Sequence, residues 1–125
     1  MLALLTDVHI SPKVARQICD RNPNIVAHSF VSWRAGNLLD EDDSVILKAA
    51  FEDLLTFVTY DNRTIAPLLS DWAERSITHA GVVFIDRRTI RQEDIGGQVR
   101  ALIGLLQERG DADWTNVVTH LRSAD

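Results

Sequence analysis

Gly81-Val82-Val83-Phe84-Ile85-Asp86 is the stretch on which the fold turns. A continuous apolar run of β-branched and aromatic residues has the length and chemistry of a strand buried on both faces, and this one stops at an aspartate. Upstream the same pattern recurs. Leu2-Ala3-Leu4-Leu5-Thr6 is a short apolar run ending at Asp7, and Leu55-Thr56-Phe57-Val58-Thr59-Tyr60 ends at Asp61. Ile25-Val26-Ala27 predicts a further, shorter strand.

Helical patterns separate these runs. Ser11-Pro12 reads as an N-cap followed by proline at the first helical position, and Val14, Ala15, Ile18 and Cys19 then form one buried stripe. Asp43-Ser44 predicts the cap of a second helix running to about Leu55. A third is expected to begin near Thr64 or Ile65, with Pro67 in its first turn, where a missing N–H does least harm. A fourth should span about Arg91 to Arg109, with Ile95, Val99, Leu102, Ile103 and Leu106 on its apolar face and Gly110 just beyond its end. The tail around Trp114 and Val117-Val118 reads as a short extra helix.

The alternation β-α-β-α-β-α-β-α, with continuously apolar strands, predicts an α/β fold: a mostly parallel sheet of about four strands covered on both faces. Right-handed crossovers would then leave few topologies. With 125 residues, 46% of them apolar, the chain has the size of a single domain with one core and needs no disulfide staple; its one cysteine, Cys19, has no internal partner. No charged-then-apolar leader opens the sequence and no apolar run reaches membrane length, so a cytoplasmic protein is expected. The net charge of −5 argues against a protein that grips nucleic acid by its overall field. It does not exclude a carboxylate site whose bound cation meets phosphate.

In a parallel sheet Asp7, Asp61 and Asp86 would fall on one edge, where open α/β folds bind ligands. Crowded carboxylates repel and raise each other's pKa, which a hard oxygen-seeking cation such as Mg2+ or Mn2+ relieves. Asp43, with Asp42 beside it, could add a further oxygen. Aspartate after a strand is also an ordinary turn former and helix cap, so each residue alone carries both readings. Arg87, Arg88 and Arg91 suit phosphate clamping, but ion pairing with Glu93 and Asp94 is the commoner fate of such clusters. His9 lies within reach of Asp7 in sequence. His28, His79 and His120 have no metal-ligand spacing, and Trp33-Arg34 reads as a loop anchor or docking element.

The residues around these aspartates resemble the short PIN-like domains of bacterial toxin–antitoxin systems. Leu4-Leu5-Thr6-Asp7-Val8-His9-Ile10-Ser11-Pro12 is similar to that family's opening strand followed by Asp-Glu-Asn-Leu-Pro. Asp43-Ser44-Val45-Ile46-Leu47 is similar to its acidic helix start, and Val58-Thr59-Tyr60-Asp61 matches its Val-Thr-x-Asp signature. The likeness covers roughly residues 2–106, leaving 110–125 as a C-terminal tail of one PIN-like domain. It implies a three-layer αβα sandwich and a metal-dependent ribonuclease serving as a toxin. Asp7, Asp43 and Asp61 would be the catalytic acids, holding Mg2+ or Mn2+ together with Asp86, while His9, Arg87 and Arg88 would face the RNA. It further implies a small antitoxin partner and a homodimer. Val8 and Ser44-Val45 stand where the family carries acids, and these departures motivate the alternative of a catalytically impaired scaffold.

Overall fold

The computed structural model describes residues 1–124; Asp125, at the end of the expected tail, lies outside the described residues. Five strands form one sheet: β1 (Leu4–Thr6), β2 (Ala27–Ser29), β3 (Thr56–Thr59), β4 (Val82–Ile85) and β5 (Val118–Leu121). They stand in the order β2-β1-β3-β4-β5 and every pairing is parallel. Four helices flank it: α1 (Pro12–Arg21), α2 (Asp43–Glu52), α3 (Asn62–Glu74) and α4 (Ile95–Arg109). The α/β fold is therefore a three-layer αβα sandwich. Among the described residues no helix is long and apolar enough to cross a membrane.

The two-residue period of the strands divides the core. Leu4, Val58, Val83 and Ile85 point to one face, where Val14 and Ile18 of α1 and Val99, Leu102 and Leu106 of α4 cover them. Leu5, Phe57, Val82 and Phe84 point to the other, against Ile46, Leu47 and Ala50 of α2 and Ile65, Leu69 and Trp72 of α3. Val58, Val83 and Leu102 are wholly buried, each worth roughly 1.5–3 kcal/mol over an exposed side chain.

This division shows one departure from the expected topology. The chain runs from β1 to β2 in one direction with α1 on the first face, and from β3 to β4 in the opposite direction with α3 on the second. Those two crossovers share a hand. From β4 to β5 the direction is again that of β3 to β4, yet α4 lies on the first face beside α1. The β4-α4-β5 unit therefore has the opposite hand, against the strong general preference for one hand. Its physical reason is cover. With α2 and α3 filling the second face, Val58, Val83 and Ile85 would lie bare on the first without α4. The connections 86–94 and 110–117 are long enough to carry the chain around the sheet.

Several boundaries move from their expected places. The tail is not a short helix: Val118–Leu121 is β5, the added fifth strand, pairing beside β4 from Val82↔Val118 to Ile85↔Leu121. Its burial alternates exposed and half-buried, so it lacks the continuous apolar run that marks the inner strands. Strand β2 begins two residues later than Ile25. Asp42 rather than Asp43 is the N-cap residue of α2, and α4 starts at Ile95, with the Asp94 side chain accepting from the Gly97 N–H at 2.9 Å. Pro67 is not in the first turn of α3, which begins at Asn62 and carries Pro67 inside it. There it stands on the exposed side, where water can satisfy the carbonyl that its ring denies a partner. Trp33 and Trp72 are both buried. Trp33 anchors its loop, with the Arg34 guanidinium 4.8 Å from its ring and 3.1 Å from Asp53.

Candidate active site

In this strand order the direction of winding reverses between β1 and β3, and a doubly wound sheet opens its ligand crevice beyond the strand ends at such a point. Asp7 follows β1 and Asp61 lies two residues past the end of β3. Thr6 faces the first core, so Asp7 turns to the second face, as Thr59 does across the register. The Thr59 hydroxyl donates to Asp7 Oδ2 at 2.6 Å and accepts from the Asp61 N–H at 2.9 Å. The other Asp7 oxygen accepts from the Val8 N–H at 2.6 Å. One buried threonine thus fixes the two strand ends together.

Asp61 realises the capping reading of its position: it is the N-cap of α3 and accepts from the Thr64 N–H at 3.1 Å. The Thr64 hydroxyl also donates to Asp61 Oδ2 and lies 3.3 Å from Asp43 Oδ2. Hydrogen bonds from Thr64, first of all from its hydroxyl, hold the Asp61 carboxyl below the usual carboxylate range, helped by the nearby His9. Asp43 is pushed the other way. Partial burial raises its pKa most, with the negative charges of Asp7, Asp61 and Asp42 adding to it. Asp7, Asp43 and Asp61 therefore share one electrostatic site, linked as Asp7–Thr59–Asp61–Thr64–Asp43.

Asp86 lies in the same cleft but in different company. Its carboxylate accepts from the Arg88 N–H at 3.0 Å and Nε at 3.2 Å, with Arg122 Nε 3.9 Å away. The Arg88 bonds and charge hold its pKa low, Arg122 adding to the effect. Of the arginines expected to pair with Glu93 and Asp94, Arg88 instead takes Asp86, while Asp94 caps α4. The cleft has a volume of about 800 Å³, and its walls include Asp7, His9, Asp61 and Asp86 together with Arg63, Arg87, Arg88 and Arg122.

The loop after β4 is tied down. The Tyr60 hydroxyl donates towards the Ile90 and Arg91 carbonyls at 3.0 and 3.2 Å, and burial pushes its pKa up to about 12, so it stays a donor. Gln98, fully buried, donates to the Gln92 carbonyl at 2.8 Å, and Gln92 reaches the His9 carbonyl at 2.9 Å. Thr59, Thr64, Arg63 and Arg122 are site residues that sequence reasoning missed. Thr64 stands at the third helical position after Asp61, whose side chain as N-cap accepts its N–H. Arg122 was hidden because the tail carries no apolar strand signature.

Among the described residues no three His, Cys, Asp or Glu side chains are grouped so as to hold a metal ion. No family model, curated protein or solved structure matches the chain.

Proposed function

We propose that the chain is a metal-dependent ribonuclease whose Asp7, Asp43 and Asp61 hold Mg2+ or Mn2+. The observation that carries this reading is the gathering of all three carboxylates near the β1/β3 switch point, where partial burial, and after it the charges of Asp7, Asp61 and Asp42, raise the pKa of Asp43. The donor set suits a hard cation in kind, being oxygen only, and in charge. The carboxylates are spread along two threonine hydroxyls, so binding would exchange the Thr64 hydrogen bonds for metal–oxygen bonds. A bound cation would supply positive charge to the scissile phosphate and a water of lowered pKa. Thr59 keeps Asp7 turned into the cleft, the Thr64 hydroxyl and the first N–H groups of α3 favour ionised Asp61, and His9 lines the cleft near it. Arg87 and Arg88 line the same cleft, where they would meet substrate phosphate.

The choice of RNA, a toxin role, a small antitoxin partner, a homodimer and a cytoplasmic location belong to the same proposal and rest on the sequence resemblance. A catalytically silent PIN-like binding module is the second reading. It is favoured by the same threonine hydrogen bonds, which satisfy the carboxylates without a cation.

Mn2+ calorimetry at neutral pH separates the two. Binding by the wild type that is lost in folded Asp7→Asn and Asp61→Asn variants supports the nuclease. No binding at millimolar metal leaves the scaffold.

A further inference from the structure

The charges lining the cleft are sorted. Asp7 and Asp61 lie at the ends of β1 and β3, whereas Arg87, Arg88 and Arg122 follow β4 and β5, with Arg63 on α3. Four of the chain's thirteen basic residues line this one cavity of a protein whose net charge is −5. Among the described residues that line the cleft, Asp86 is the one carboxylate that follows β4 or β5, and it faces two guanidiniums. Its side chain is 13% exposed, while those of Arg88 and Arg122 are 85% and 75% exposed, so the acid sits beneath and the cationic heads stand in the cleft. The wall is built rather than loose, because Tyr60, Gln98 and Gln92 pin the loop that carries Arg87 and Arg88. Beside it the His120 ring stacks on Phe84 at 5.4 Å between centroids, with Phe84 buried and His120 exposed.

We propose that the β4–β5 half of the cleft is a single-stranded RNA subsite, in which Arg88 and Arg122, set by Asp86, take backbone phosphate and His120 offers its ring to an unpaired base. The proposal rests on the ribonuclease reading for its choice of RNA. Guanidiniums suit phosphate because their planar fork donates two parallel hydrogen bonds. An exposed ring backed by a buried one is a stacking shelf, and stacking requires a base freed from a duplex. The arginines lie away from the Asp7–Asp61 pair, so they would hold phosphates flanking the one to be cut.

Fluorescence anisotropy with a mixed-sequence single-stranded oligoribonucleotide, in EDTA, tests this without metal or turnover. Wild-type protein should bind, with an affinity that falls as salt rises. Arg88→Ala and Arg122→Ala should each weaken binding by about fivefold or more and flatten the salt slope by roughly 0.7 per lost phosphate contact. Arg88→Lys should recover the slope but not the full affinity. His120→Ala should lose about fivefold or more on the single strand and little on a duplex. Undiminished affinity and slope in both arginine variants, or no binding by the wild type at low salt, overturns the subsite. Mn2+ calorimetry on the same variants keeps the two readings apart. Failed metal binding with intact RNA binding removes the nuclease alone, and the converse removes the subsite alone.

Discussion

Thr59 donates its hydroxyl to Asp7 Oδ2 at 2.6 Å, and its own Oγ1 accepts from the Asp61 N–H at 2.9 Å. A wholly buried threonine is thus the joint between two strand ends whose acids lie 54 positions apart in sequence. Thr59→Val keeps the shape and removes both bonds. The variant should unfold with about 1–2 kcal/mol less stability, measured by urea titration. It should bind Mn2+ about tenfold more weakly, the usual size of a lost supporting hydrogen bond. Thr59→Ser should restore both. A Thr59→Val protein with undiminished Mn2+ affinity would show that Asp7 needs no orientation.

Asp43 carries the second prediction. Burial and the charges of Asp7, Asp61 and Asp42 lift its pKa, so in the folded, metal-free protein it binds protons more readily than in the unfolded chain. Its contribution to stability is therefore present below the unfolded pKa and lost as pH rises through the folded one. Asp43→Asn should stabilise the metal-free protein at neutral pH by on the order of 0.5 kcal/mol, since solvent screens a half-exposed group, and the gain should vanish in acid. Carboxyl NMR should place the Asp43 midpoint above the usual aspartate range and show it falling in Asp7→Asn. A midpoint indifferent to Asp7 would separate the two acids.

The sequence made the inner sheet legible because its strands are short apolar runs that each stop at a marker. Asp7, Asp61 and Asp86 mark the C-terminal edge of β1, β3 and β4 with little ambiguity. The edge strand β5 was not legible. Its residues Val118, Thr119, His120 and Leu121 alternate in burial, and nothing apolar and continuous announces them. With β5 unseen, Arg122 and His120 could not be placed in the cleft. The hand of the last crossover was equally hidden, because it depends on which face still needs cover after α2 and α3 have packed. Thr59 reads as one more β-branched strand residue, and only the register with β1 turns it into a partner of Asp7.

Asp86 shares the cleft with Asp7 and Asp61 but is engaged by Arg88 and Arg122. Asp86→Asn should leave Mn2+ affinity unchanged in calorimetry, whereas Asp61→Asn should abolish measurable binding. Loss of metal in both variants would make Asp86 a ligand and would require its arginines to move aside.

His79 gives the chain a pH dependence unrelated to the cleft. It is buried, and its Nδ1 accepts the Gly81 N–H at 3.0 Å, while its own N–H and carbonyl bind the side chain and N–H of Asn116, each at 3.0 Å. These contacts join the start of β4 to the loop before β5. Gly81 itself has φ +99°, and a Cβ there would stand 2.8 Å from the Trp114 carbonyl oxygen, so the joint has no slack. Burial lowers the His79 pKa below that of the unfolded chain. Neutral His79 therefore contributes stability that is present above the unfolded value of about 6.5 and lost as pH falls through the folded one. Protonation would also put a hydrogen on the nitrogen that must accept from Gly81. Urea titrations across this range should show stability declining on the acid side, and His79→Gln, which keeps an acceptor but cannot gain the charge, should flatten that decline. An equal decline in wild type and His79→Gln would assign the acid sensitivity to the carboxylates instead.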